Sequence, residues 1–151
     1  MTNNIRYSGE VTVKINNKHE YKFTNKGTDI LFTSLSNMLL GNTSSKPTYI
    51  TIGTVNNDDG NIIVNPILFQ NIVISSKRME GTACVFEGLL TYTAINSNGS
   101  IDTSLCIVML DNKKRVLAYV QDNELAKTVS DILENYNSQA VIKWTMSFSN
   151  K

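Results

Sequence analysis

Residues 140–149, Ala-Val-Ile-Lys-Trp-Thr-Met-Ser-Phe-Ser, constrain the fold more than any other stretch of this chain. Ile142, Trp144, Met146 and Phe148 alternate with Lys143, Thr145 and Ser147. Successive side chains of a strand point to opposite faces, so this period of two specifies a half-buried β-strand with a heavy apolar side. A chain with such a strand near its end must supply other strands to pair with it and a layer to cover its apolar face.

The rest of the sequence supplies them. Val11, Val13 and Ile15 alternate with polar residues, Asn16-Asn17-Lys18 makes a turn, and Tyr21 and Phe23 follow in the same rhythm. The pattern predicts a β-hairpin with Val13 and Phe23 on one face. Further strands are expected at 47–54, at an extended or edge segment around Pro66, and within 70–78. Another is expected at 84–92, with Gly88 as a candidate bulge. Ser104 to Leu110 is apolar after its first residue, as in a strand covered on both faces. Arg115 to Val120 continues the series. Turn clusters at 56–60, 96–99 and 111–114 separate these runs.

The period changes once. Ile30, Leu31, Leu35, Met38 and Leu39 are spaced as on one side of a helix over residues 28–40. Thr28 is the expected N-cap, Asp29 suits the first turn, and Gly41 suits the stop. Its apolar side is expected to plug one end of a sheet. Residues 121–138 carry no decisive period. Glu124 to Lys127 reads as one helical turn, and Ser130 to Asn135 as an extension of the closing strand. The expected fold is therefore all-β, mainly an antiparallel β-sandwich, with one short amphipathic helix near residues 28–40. Residues 1–8 are expected to form an N-terminal arm and 9–151 a single β-sandwich domain. Ile5 and Tyr7 on that arm are the expected assembly contacts.

Composition narrows function mainly by exclusion. Charged residues make up 18% of the chain and the formal net charge is +1, with no basic stripe to neutralise phosphates. The Lys113-Lys114-Arg115 run reads as a charged hairpin turn, so no nucleic-acid partner is expected. No apolar run approaches a membrane span, and no membrane partner is expected. Cys84 and Cys106 lie in apolar strand patterns and read as free thiols acting as small hydrophobes. Two distant cysteines and the one histidine do not make a metal set, and no cofactor is expected.

No catalytic constellation emerges. Asp58, Asp59, Asp102, Asp111 and Asp131 lie in or beside turns, where carboxylates are mostly solvated. Glu87 falls on an outer strand face. His19 sits beside the hairpin turn with no nucleophile elbow to serve. Trp144 shares its side with Ile142, Met146 and Phe148 and reads as core rather than as a sugar platform. The chain is not expected to be an enzyme. The Asn56–Gly60 cluster lacks the ligand spacing of a calcium loop and reads as a surface turn.

Five segments in order resemble a family of tailed-bacteriophage virion proteins of tails, baseplates and fibre-attachment regions. They are Asn25-Lys26-Gly27-Thr28-Asp29-Ile30-Leu31 with Leu39-Leu40-Gly41; Tyr49-Ile50-Thr51-Ile52-Gly53-Thr54; Phe86-Glu87-Gly88-Leu89-Leu90; Val116-Leu117-Ala118-Tyr119-Val120; and the closing Ile142-Lys143-Trp144-Thr145-Met146-Ser147-Phe148. The sequence departs from the family pattern at Val55, where a second glycine is usual, and at Leu105-Cys106-Ile107-Val108-Met109. The resemblance implies a virion structural protein of the tail, collar or baseplate, located in the virion and made in the host cytoplasm. Its implied partners are copies of itself, other virion proteins and fibre proteins that it would anchor. It implies no catalytic residues. The competing reading is a module that binds a host cell-surface polysaccharide through the Asn/Ser/Thr loops at 42–46, 56–61 and 96–100. Tyr49 and Tyr92 are the aromatic residues nearest those loops.

Overall fold

The computed structural model describes residues 5–42, 45–58, 61–95, 105–134 and 137–150. Among these residues the chain forms ten strands and two α-helices, and every strand pairing is antiparallel. The strands are β1 (Ile5–Ile15), β2 (His19–Gly27), β3 (Pro47–Asp58), β4 (Asn61–Pro66), β5 (Ile72–Val73), β6 (Ser76–Glu80), β7 (Ala83–Thr91), β8 (Leu105–Asp111), β9 (Val116–Gln121) and β10 (Gln139–Asn150). Helix α1 spans Asp29–Leu39 and α2 spans Glu124–Leu133. The fold is all-β with short helices, as the alternation predicted.

The strand order is β4-β3-β8-β9-β2-β1-β10-β7-β6, with β5 on β3. This path folds into two layers. The first sheet holds β2, β1, β10, β7 and β6, and the second holds β4, β3, β8 and β9. Strand β2 joins them. Most of it pairs with β1, and its last residues, Lys26 and Gly27, pair with Tyr119 and Ala118 of β9. On the opposite side the segment Ile72–Glu80 crosses back. Ile72 and Val73 pair with β3, and Ser76–Glu80 pair with β7. The sandwich is thus laced along both sides by chain that leaves one sheet for the other.

The β1–β2 hairpin follows the expected register. Val11 faces Phe23 and Val13 faces Tyr21, so Val13 and Phe23 both reach the core. Asn16 and Asn17 hold positive φ (51° and 59°), which Asn tolerates better than most residues and which a tight hairpin turn requires. The core lies between the sheets. Val11, Val13, Ile15, Phe23, Leu90, Ile142 and Trp144 meet Ile50, Ile52, Leu105, Ile107, Met109 and Val120 there. Trp144 is fully buried, as its strand face predicted.

Four expectations need correction. Ile5–Ser8 are not a free arm: they continue β1 and pair with Ser147–Asn150. The strand pattern of the chain end supplies a partner long enough to hold them. Residues 1–4 lie outside the described residues. Second, Gly88 makes no bulge, since β7 and β10 keep one register through Gly88↔Ile142. Its lack of a Cβ leaves room for Ile72, whose Cγ2 would stand 2.7 Å from an added Cβ. Third, Ser130–Leu133 are helical rather than an extension of β10. Leu125, Val129 and Ile132 recur at helical spacing and are buried at the end of the sandwich where β2 begins. Fourth, Thr28 occupies the N-cap position of α1 without capping it. Its hydroxyl donates to the carbonyls of Val116 (2.6 Å) and Leu117 (3.1 Å). Thr28 therefore fastens the start of α1 to β9.

Helix α1 stops as predicted. Gly41 has φ +84°, its N–H donates to Met38 O (3.0 Å), and the Asn42 N–H donates to Asn37 O (2.8 Å). These two bonds make a Schellman motif, which satisfies carbonyls that the last turn leaves open. A second glycine is fixed by contact. A Cβ on Gly53 would lie 2.2 Å from the Asn65 backbone oxygen, so β3 and β4 pair here only because residue 53 has none.

Candidate functional site

Helix α1 buries less than its apolar pattern predicts. Leu31 and Ser34 are buried and Leu35 is half-buried. Ser34 satisfies its hydroxyl by donating to Ile30 O at 2.7 Å, so it sits against the sheets at little cost. Met38, Leu39 and Leu40 are 59%, 86% and 78% exposed, and Phe32 is exposed on the flank. The first half of the helix closes the sandwich, and the second half leaves its apolar residues uncovered.

Beneath α1 the two sheets part and leave an apolar cleft. Its inner compartment, about 130 Å³, is lined by Leu31, Leu35, Cys84, Phe86, Leu117 and Phe148, among others. Its mouth, about 380 Å³, is bounded by Met38, Ser45, Lys46, Pro47, Lys77 and Phe86. Lys77 and Met79 stand opposite Phe86 and Cys84 in the β6–β7 register. Among the described residues neither Lys46 nor Lys77 has an acidic partner. The hydroxyls in the lining are already engaged, Ser34 by Ile30 O and Ser45 by Asp111. The described lining of the inner cleft therefore offers mainly dispersion contacts.

Asp111 holds one rim of this mouth. It was expected to be solvated in its turn, but it is fully buried. One carboxylate oxygen accepts from the Ser45 hydroxyl (2.8 Å) and Arg115 Nε (2.8 Å). The other accepts from the backbone N–H groups of Lys113 (2.9 Å) and Arg115 (2.8 Å). Burial pushes the carboxyl up, and these four donors together outweigh it, so it lies below the usual carboxylate range. The Asp111–Arg115 spacing, four residues within a turn, was the available signal.

A second surface lies on the outer face of the second sheet. Tyr49, Leu110 and Val116 stand side by side across β3, β8 and β9, and Thr51, Val108 and Tyr119 form the next row. Cys106 follows beside Gly53. Cys106, Val108, Leu110 and Val116 are buried under Tyr49, Val55, Val64 and Tyr119, a cluster drawn from β3, β4, β8 and β9 alone. Burial pushes the Cys106 thiol up, and a contact with the Val55 backbone pulls the other way. Val73, next to Tyr49 on β5, is 64% exposed. The predicted double coverage of β8 is thus real, and among the described residues the apolar side chains over its outer face come from its own sheet.

The structure places the expected assembly contacts, Ile5 and Tyr7, on β1. Ile5 pairs with Asn150. Tyr7 is half-buried, its ring 5.4 Å from that of Phe148 and its hydroxyl donating to Asn25 Oδ1. Burial pushes its phenol up to about 12, against the pull of the Trp144 indole and the Asn25 amide. Tyr7 thus ties β1 to β10 and β2. Among the described residues, Trp144 Nε1, Asn25 Nδ2 and Thr51 Oγ1 are buried without a partner of hydrogen-bonding geometry.

At the opposite end, His19, Tyr21, Lys127, Asp131 and Glu134 border a polar hollow of about 580 Å³. The Tyr21 hydroxyl donates to Asp131 Oδ2 (2.5 Å), and this bond, then slight burial and the charges of Asp131 and Glu124, raise the phenol above its ordinary value. The pair ties α2 to β2. Glu87 lies outward and pairs with Arg78 at 2.7 Å. Cys84 and Cys106 lie in different sheets and form no disulfide. Tyr49 and Tyr92, the aromatic residues nearest the Asn/Ser/Thr loops, are both half-buried. Asp59, Asp102 and the loop at 96–100 lie outside the described residues. No described helix is long and apolar enough to cross a membrane.

No protein-family model, curated protein or solved structure matches the chain.

Proposed function

We propose that this chain is a structural domain of a tailed-bacteriophage virion, built into the tail, collar or baseplate in several copies, and that it does no catalysis. The observation that carries the reading is the outer face of the second sheet, where, among the described residues, no second layer packs on Tyr49, Val55, Val64 and Tyr119, and Val73 beside them is exposed. Contiguous apolar patches on a protein surface mark sites of association. The uncovered Met38, Leu39 and Leu40 give a second such patch. The low charged fraction (18%) and a net charge of +1 suit surfaces that pack among neighbours. The tail assignment itself rests on the five ordered segments that resemble the virion family.

The test is the particle. Virions purified from a lysate whose phage encodes this chain should contain it in a fixed stoichiometry by mass spectrometry. An antibody against it should decorate one end of the tail in electron micrographs. A protein found only in the infected cell, and absent from washed virions, would rule out the structural role.

A further inference from the structure

The cleft under α1 has three properties that together describe an occupant. The inner compartment is apolar and about 130 Å³. Apolar cavities of about 150 Å³ take up a benzene-sized molecule, so this space fits one large side chain and little more. The mouth carries two ammonium groups, Lys46 and Lys77, without acidic partners among the described residues. Beside the mouth runs β6, the last strand of its sheet, paired with β7 on one edge and with no strand on the other among the described residues. An unpaired edge is a template for an added strand.

We infer that the cleft is a docking site for an extended segment of another virion protein, one that adds to β6 and carries an anchor of Phe, Leu or Met flanked by acidic residues. The added strand lays its backbone along Ser76–Glu80. Its anchor side chain enters between Phe86, Leu35 and Leu117. Side chains two positions away share the anchor's face, and acids there meet Lys46 and Lys77. The charges on the outer side of β6 do not compete, because Arg78 and Glu80 are engaged with each other and with Glu87 and Lys143. This inference rests on the assembly reading and names the chemistry of one partner.

A yeast-displayed library of random dodecapeptides, selected against the full-length protein, tests it. Enriched peptides should share a bulky apolar residue with Asp or Glu two positions away. Binding should weaken roughly tenfold in the K46E/K77E double variant, the scale of a few reversed surface charge contacts. It should also weaken in Met38→Trp, which fills the mouth. Both variants alter exposed residues and should keep the wild-type melting temperature. Bound peptide should slow amide exchange at alternate residues of β6. Enrichment without acids, binding unchanged by K46E/K77E, or unaltered β6 exchange would overturn the inference, as would failure to enrich any peptide. So would saturable uptake of decanoate by a cleft that ignores the library, which would mark a small-molecule site. Sedimentation of the K46E/K77E variant separates the two proposals, since self-association through the second sheet should survive the loss of peptide binding.

Discussion

Asp111 shows how a single residue can matter more than its local sequence suggests. A turn carboxylate is ordinarily solvated, yet this one is closed in by Ser45 and by the turn it caps. Removing a buried carboxylate that satisfies four donors leaves those donors unpaired, so Asp111→Ala should cost about 2–4 kcal/mol in urea unfolding. The pH dependence follows from the lowered carboxyl. Its contribution is complete above the ordinary carboxylate value, near ~3.9, and is lost as pH falls through the lower folded value. The stability gap between wild type and the variant should therefore be constant above about pH 5 and close in stronger acid. Tyr7 runs in the other sense. Its phenol is raised to about 12, so its contribution is complete below the ordinary ~10 and lost as pH rises toward the folded value. Ultraviolet titration should show a tyrosine ionising near 12 besides any delayed ionisation of Tyr21, and Tyr7→Phe should remove the contribution near 12. The same variant leaves the buried Asn25 carbonyl oxygen without its donor, a loss of about 1–2 kcal/mol.

At the scale of elements, α1 separates what stabilises from what is on offer. Its Schellman end depends on Gly41 at φ +84°, so Gly41→Ala should cost about 1 kcal/mol. Leu39→Ser with Leu40→Ser alters exposed residues and should stay within about 0.5 kcal/mol of wild type by thermal or chemical unfolding. The contrast explains what the sequence could disclose. The period of two in β1, β2 and β10 announces both strand and buried face, because each residue's neighbours along the chain carry the information. The stop of α1 is equally local. The sequence predicts only one turn of α2, Glu124–Lys127, because Leu125, Val129 and Ile132 are set among polar residues. Local pattern predicts a capping role for the Thr28 hydroxyl, but its acceptors, the Val116 and Leu117 carbonyls, lie 88 and 89 residues away. The cleft was illegible for the same reason. Its walls come from α1, β6, β7, β9, β10 and the start of β3, and no run of sequence contains them together.

At the scale of the whole molecule, the lacing of the sandwich decides which surfaces remain for neighbours. Strand β2 closes one side and Ile72–Glu80 the other, so the core is sealed without help from a second copy. The outer face of the second sheet is different, since among the described residues the apolar side chains packed on its buried valines and leucine are tyrosines and valines of the same sheet. A stable interface buries roughly 1,200–2,000 Å² in total, and a sheet face of three to four strands is a surface of that order. Closed rings need a heterologous contact that repeats with a fixed rotation, and isologous pairing of this face would instead give dimers. Val73→Lys distinguishes association from stability. The residue is 64% exposed, so its replacement should leave unfolding within about 0.5 kcal/mol of wild type. A lysine at the edge of the tyrosine cluster must be desolvated whenever the face is covered, and it repels its own copy across a two-fold contact. Sedimentation velocity across a concentration series should show wild type shifting to a discrete larger species and Val73→Lys remaining smaller at the same concentrations. Identical profiles for the two would place the contact elsewhere. The exposed Leu39 and Leu40 would then be the surface to alter next, with the same pair of measurements.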